Sequence, residues 1–204
     1  VMTIRRGEAW GEQVTAPPDL VITHTDGEAR AAVVHHLASD RGPLAIGLAG
    51  GDLARTMGGG APGRFPGDVV RAPVDVLRVD AGGERTWAVA HVVARRRWWR
   101  GELCLAMNAQ YHGDFDVAPR SHPNDGRVDV LHVDAAMSLR TRLAARARAR
   151  RGIHLPHPQI SSRQTPGTTV VFARPLTLWV DGERWIDAAE VTITVEPDAL
   201  IAHA

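Results

Sequence analysis

From residue 71 onward the chain is divided into seven short runs: PVDVLRVD, RTWAVAHVVA, GELCLAMNA, RVDVLHVDA, TTVVFA, LTLWVDGE and VTITVEP. That segmentation constrains the fold more than any other feature. The runs are rich in Val, Thr, Trp and Leu, several alternate apolar with polar, and turn residues separate them. Such runs read as strands, and their close spacing favours antiparallel pairing. One helix interrupts them at SLRTRLAARARARRG, with Gly152 as its stop signal.

The first third has a different texture. TAPPD marks residues 1–19 as loop or linker, DLVIT is a short buried strand, and Glu28 to Ala38 reads as a helix. A turn at Asp40 to Pro43 leads to a second strand, LAIGLA. Gly50-Gly51-Asp52 then opens a short helix, LARTM, with an acid near its start. The glycine- and proline-rich stretch GGGAPGRFPGD, at 58–68, is the candidate joint. The expected class is therefore α+β or α/β. A small α/β piece (1–70) precedes a larger, mostly antiparallel β-sandwich-like domain with one helix (71–204).

Composition narrows the function. All 24 basic residues are arginine, so no lysine is available for a Schiff base or a P-loop. A net charge of +1 argues against a nucleic-acid binder. The single cysteine, Cys104, excludes an internal disulfide. VMTIRRGEAW lacks an apolar signal core and no apolar run is long enough to span a membrane, so a cytoplasmic location is expected.

Several residues stand out, each with two readings. Asp26 and Glu28 sit at a strand–turn–helix corner, where acids can line a cleft or simply stabilise the helix start. Asp52 has the same ambiguity. Asp181-Gly182-Glu183 is either a hairpin turn or a carboxylate site. Asp125 and Asp129, in NDGRVDV, suit a turn or a metal loop. His154 and His157 have metal-like spacing, but proline interrupts them. Six tryptophans accompany one tyrosine. On a strand, Trp98 and Trp99 would face opposite ways, leaving one for a pocket or a surface. The helix from Arg140 to Arg151 carries six arginines, a solvated face or a contact for anionic lipid headgroups.

In order, NAQYHGDFDVAPRSHPNDGRVDVLHV, the arginine helix, HPQI, LTLWVDGE and ITVEPDALIA resemble the carboxyl-terminal domain of the diacylglycerol kinase-like family. That family includes bacterial lipid kinases and is related to sphingosine kinases. Its pattern there has a strand ending in Asn, an aromatic-Gly turn, an "AP" segment, "DDGLLDV", a helix, "DGE" and a "PGAL"-like turn. VITHTDGEARAAV falls where the family has "GGDGT", and PLAIGLAGGDLARTMG falls at "PLGTGNDLART". Asp26, Asp52 and the LART segment are retained, and Asp75 stands at the family's acidic position on the next strand.

The departures are chemical. His24 and Thr25 replace two glycines of the phosphate corner, and Glu28 replaces a threonine. The family's first strand, its "NPxSG"-type loop and a long helical insert have no counterpart. A polyphosphate needs free N–H groups and positive charge, so the resemblance implies a nucleotide site that is reduced or lost. Gly27, Gly50 and Gly51 are the glycines that would approach ATP, with Mg2+ as its companion. Asp26, Glu28, Asp52 and Glu183 are the candidate catalytic acids, the "DGE" acid being the one the family implicates in activating the substrate hydroxyl. Trp98, Trp99, Trp179 and His24 are the candidate pocket residues, and Asp125 with Asp129 the candidate metal pair.

Three functions fit: a reduced lipid kinase, a non-catalytic pseudokinase, or a repurposed acid–base enzyme. The last would act on an aromatic molecule, for example in a Pictet–Spengler type cyclisation, and would need no cofactor. A lipid or aromatic small molecule is the expected partner, with peripheral membrane contact and a homodimer as further expectations and no nucleic acid.

Overall fold

The computed structural model describes residues 10–37, 42–60, 63 and 65–204. The expected helix end at Ala38, the start of the Asp40–Pro43 turn, part of the 58–68 joint and residues 1–9 lie outside the described residues.

In the first piece, β2 (Val21–Thr23) leads into α1 (Asp26–Leu37), then β3 (Leu44–Leu48) and α2 (Asp52–Thr56). β2 and β3 pair in parallel, with Val21 opposite Ile46. Parallel neighbours need a crossover, and α1 provides it.

The second piece begins with β4 (Asp68–Ala81), β5 (Glu84–Ala88), β6 (His91–Arg95) and β7 (Leu103–Met107). A small hairpin of β8 (Tyr111–His112) and β9 (Phe115–Asp116) follows. Then come β10 (Val128–Val133), α3 (Leu139–Ala149), β11 (Ile160–Thr165), β12 (Gly167–Val180) and β13 (Glu183–His203). The large sheet runs β1-β4-β13-β12-β6-β7-β10-β11, where β1 is Glu12–Thr15. This is the expected class: a mostly antiparallel, sandwich-like sheet with few helices and a small α/β piece.

Four details differ from the sequence expectation. The supposed linker contains β1, which pairs with the start of β4 from Glu12↔Arg71 to Thr15↔Asp68. TTVVFA and LTLWV belong to one strand, β12, whose register shifts between Val171 and Leu176. Pro175 lies in that gap and has no N–H for the ladder. The "PGAL"-like turn is a bulge inside β13, between Glu196 and Leu200, with Asp198 left-handed at φ 55°. The polar segment ISSRQT forms β11, paired to β10 along its full length.

The sheet does not stop at residue 70. The end of β13 pairs in parallel with β3 (Leu200↔Leu44 to His203↔Gly47) and antiparallel with β4. Leu200, Ala202 and Ala204 therefore share one core with Val33 of α1, Ile46 and Leu48 of β3, and Leu53 of α2. β7 shows why its LCLAM run reads as uninterrupted apolar: all five residues are buried. Cys104 and Ala106 enter the core with β12 and β13, while Leu103, Leu105 and Met107 face the layer beneath α3. Burial pushes the Cys104 thiol up to about 12, as an inert core residue requires.

α3 starts at Ser138, whose hydroxyl accepts from Thr141 N. It ends near Gly152, left-handed at φ 66°. Its arginines are not all solvated. Arg142 is buried and donates to the carbonyls of Met137, Asp134 and Gly101, tying the helix to the loops below it.

Candidate functional site

The corner after β2 is organised by acids. Glu28 N donates to Thr25 Oγ1 at 3.1 Å, and Glu28 Oε2 accepts from His24 N at 2.7 Å. Thr25 caps the helix start, and Glu28 reaches back to the residue before the cap. This turns Glu28 back onto its own helix start. Asp26 turns the other way and closes the next loop: its carboxylate accepts from Asp52 N at 2.6 Å and Leu53 N at 3.1 Å. Two of the N-terminal donors of α2 are thus taken by a protein carboxylate. Burial raises the Asp26 pKa, and those two N–H groups hold it back.

The glycines serve this closure. A Cβ on Gly51, at φ 99°, would lie 2.5 Å from Asp26 Oδ1, and one on Gly50 would lie 2.4 Å from His24 O. A Cβ on Gly27 would meet Glu183 Oε1 at 3.0 Å. Thus Glu183 stands beside the start of α1. It pairs with Arg30 at 2.8 Å, and its side chain is 63% exposed.

Asp181-Gly182 is indeed a hairpin turn, with φ of 49° and 86° between Val180 and Glu183. The Asp181 side chain points inward. Its carboxylate accepts from Val89 N, Ala90 N and His91 N at 2.8 to 2.9 Å, holding the turn between β5 and β6. Burial pushes its pKa up to about 6, against the pull of His91 and these N–H groups.

His91 opens β6 and completes a cluster. Its Nε2 lies 3.1 Å from Asp52 Oδ2 and 3.1 Å from His112 Nδ1. His112 Nδ1 is 3.8 Å from Asp52 Oδ2. Gly113 N donates to both Asp52 oxygens. Burial alone would raise the Asp52 pKa, but His112, His91 and Gly113 hold it well below the ordinary carboxylate range. Burial alone would lower the His91 pKa, but Asp52, Asp181 and Asp26 hold it above its ordinary value. Among the described residues, no arginine forms an ion pair with Asp26, Asp52 or Asp181. The β8–β9 hairpin is fixed to α2: Arg55 donates to Gly113 O at 2.7 Å and lies 4.0 Å from the Tyr111 ring centre.

Beyond His112 lies an apolar cavity of about 430 Å³ between β7, β10 and α3. Leu105, Leu131, Met137, Ala145, Trp98 and Trp99 are among its walls. Trp98 and Trp99 both reach it because they lie in bends after β6, not on a strand. This corrects the expectation that only one could serve a pocket. The Trp98 ring packs 5.5 Å from that of His112. Trp179 does not line the cavity; it and Trp98 flank the Arg95 guanidinium, each ring centre 4.5 Å away. His24 lies at the other corner. His154, buried, borders the cavity.

Asp125 and Asp129 lie in the loop before β10 and at its start. Asp125 accepts from Arg127 N at 2.9 Å, as in a turn, and Asp129 accepts from Gln164 Nε2 at 3.1 Å. Among the described residues they join no third His, Cys, Asp or Glu at metal-ligand range; Asp52, His91 and His112 form that kind of group. Asp75, buried, accepts from Gly126 N at 2.7 Å and Asp198 N at 3.1 Å, binding this loop to the β13 bulge.

The structure therefore brings together Asp26, Asp52, Asp181 and Glu183 around the start of α1, and sets Glu28 aside as a cap. Sequence reasoning missed His91 and His112. The available signal was a histidine inside an apolar run, AVAHVVA, and another beside the hairpin glycine in YHGD.

Residues 77–203 match the YegS C-terminal NAD kinase beta sandwich-like domain. No curated protein matches the chain at a significant level. Solved structures from Bacillus anthracis str. Sterne, described as diacylglycerol kinases, share the fold. Two of them superpose with TM-scores of 0.65 and 0.67 at 13% identity, over 90% of this chain and 77% of theirs. A third has a TM-score of 0.64 at 13% identity, over 90% of this chain and 75% of its own. At that identity the likeness concerns the fold. The family match covers more than half of the chain, and its motifs fall in the family's order; the chain belongs to the diacylglycerol kinase-like family of the YegS C-terminal domain.

Proposed function

We propose that this protein binds an amphiphilic small molecule in the cavity beneath α3, with the molecule's polar end at Asp52, His91 and His112. One observation carries the reading: an apolar cavity of about 430 Å³ ends on a histidine that belongs to a partly buried polar cluster. Ligand sites commonly combine apolar walls with a few convergent polar groups. A lipid is the favoured occupant, in keeping with the B. anthracis structures described as diacylglycerol kinases. The flanking surface supports delivery from an anionic membrane, since Trp99, Leu139 and Leu143 are exposed beside the arginines of α3.

The family implies ATP and Mg2+, and the residues present do not fit a polyphosphate. Asp26 occupies two N–H donors of α2, Thr25 caps α1, and Asp26 with Asp52 places like charge around the loop. Like charges in a poorly solvated site repel strongly. These contacts support a protein that does not transfer phosphate from ATP by the family's usual route. They leave the Asp52–His91–His112 cluster as the polar group that meets the head of the cavity ligand.

The test is tryptophan fluorescence during titration with a short-chain diacylglycerol. A saturable change from Trp98 and Trp99 is expected. Ala145→Phe, which fills the cavity, should abolish it while the far-ultraviolet circular dichroism stays unchanged. The same saturation in Ala145→Phe would contradict the reading.

A further inference from the structure

We infer that Asp52, His91 and His112 form a binding site for one divalent transition-metal ion of the Zn2+ type, with an open coordination position at the polar end of the cavity. For what the metal would act on, the inference rests on the proposed cavity ligand; metal binding itself does not.

The geometry carries the argument. The three donor atoms, Asp52 Oδ2, His91 Nε2 and His112 Nδ1, form a triangle with sides of 3.1, 3.1 and 3.8 Å. A point about 2.0 Å from all three lies inside this triangle, which is the bond length such ions make to imidazole nitrogen and carboxylate oxygen. A bridging proton can serve only one pair of these atoms well and leaves the third facing a lone pair. A cation serves all three.

Charge points the same way. Asp26 and Asp181 are buried and hold the backbone of two of the ligands, accepting from Asp52 N at 2.6 Å and from His91 N at 2.9 Å. No arginine neutralises any of the three acids among the described residues. A dication would offset that excess.

Outer contacts fix the Asp52 and His112 ligands, as in built metal sites. Gly113 N–H holds the Asp52 carboxylate at 2.9 and 3.0 Å. Trp98 packs on the His112 ring, and the His91 ring meets that of His112 edge-on at 4.4 Å between centres.

Donor chemistry sets the metal class. Two imidazoles and one carboxylate favour Zn2+ or a neighbouring first-row ion, whereas Mg2+ prefers oxygen ligands and retained water. Three protein ligands leave a fourth position open, the pattern of a metal site that does chemistry. His112 lines the cavity, so that position lies at its polar end.

The experiment is calorimetric titration of chelator-treated full chain with Zn2+, with Co2+ absorption as a reporter of ligand type. Wild type should bind one Zn2+ per chain, and Co2+ should give a four- or five-coordinate visible spectrum. His112→Ala is partly exposed and should keep its metal-free melting temperature, yet lose Zn2+ affinity by more than the roughly 10- to 100-fold expected from loss of a mere supporting group. His91→Asn should lose Zn2+ affinity likewise. His157→Ala, outside the cavity lining, should bind like wild type. No stoichiometric binding by wild type, unchanged affinity in His112→Ala, or loss of binding in His157→Ala would each overturn the inference. No lipid enters this assay, so its failure and failure of the cavity reading are separate results.

Discussion

The corner around Asp26 and the cavity beneath α3 both lie near strand ends, yet the protein fills one and leaves the other open. At the corner, a carboxylate accepts from Asp52 N and Leu53 N of α2, and Thr25 with Glu28 closes the start of α1. Two of the donors that an anion would use are already bonded. At the cavity, Leu105 of β7 and Leu131 of β10 face Ala145 of α3 across an apolar space of about 430 Å³. The difference teaches that two acids in adjacent motifs can serve each other's loops. Asp26 accepts from the backbone N–H of Asp52 and of Leu53. Function follows the site and not the fold.

The hinge of the comparison is Asp181, which holds the β5–β6 turn and so places His91 between the two regions. Asp181→Ala leaves three buried N–H groups without their acceptor. The expected loss is about 3 kcal/mol or more by urea unfolding. A loss below about 1 kcal/mol would mean that His91 is placed by other contacts.

Asp26→Ala comes next. It removes a cap but also a buried charge, so the expected net loss is only about 1 kcal/mol. It should also give the corner measurable affinity for inorganic pyrophosphate, read by calorimetry. If the variant binds no better than wild type, occupancy of the α2 donors is not what excludes phosphate.

Asp125 sharpens the contrast by pH. Burial, with smaller contributions from Asp129 and Asp75, pushes its pKa up to about 6 from an ordinary 3.8, against the Arg127 N–H. The folded form therefore holds this proton more tightly than the unfolded chain. Asp125 stabilises the fold most at low pH, and that contribution declines as pH rises through about 4 to 6. Asp125→Asn should flatten this part of the melting-temperature profile; an unchanged profile would count against a strained carboxyl in this loop. The smallest effect is expected for Glu183→Gln. Its pair with Arg30 is exposed, and its loss should cost under about 1 kcal/mol. A larger loss would assign Glu183 a structural part in the corner.

Much of the fold was legible because burial leaves a pattern. β7 reads as continuous apolar sequence because both its faces are covered, and the Asp181-Gly182 hairpin is written in its turn residues. β11 was illegible because, as an edge strand exposed along most of its length, it has no apolar face to announce it. β1 was hidden for a similar reason, being largely exposed and held by the edge of β4. The candidate site was only half legible. Asp26, Asp52 and Glu183 stand in family motifs, but His91 and His112 come from strands 39 and 21 residues along from their partners in the cluster, and only folding brings them together. Trp98 and Trp99 both line the cavity because they lie in bends, which do not obey strand alternation.

The most direct test of the closed corner is calorimetric titration of the wild-type chain with Mg-ATP. The account predicts no saturable binding below about 1 mM. A one-to-one complex with a Kd in the tens of micromolar, weakened by Asp52→Asn, would show that the corner opens for a triphosphate and would contradict the account.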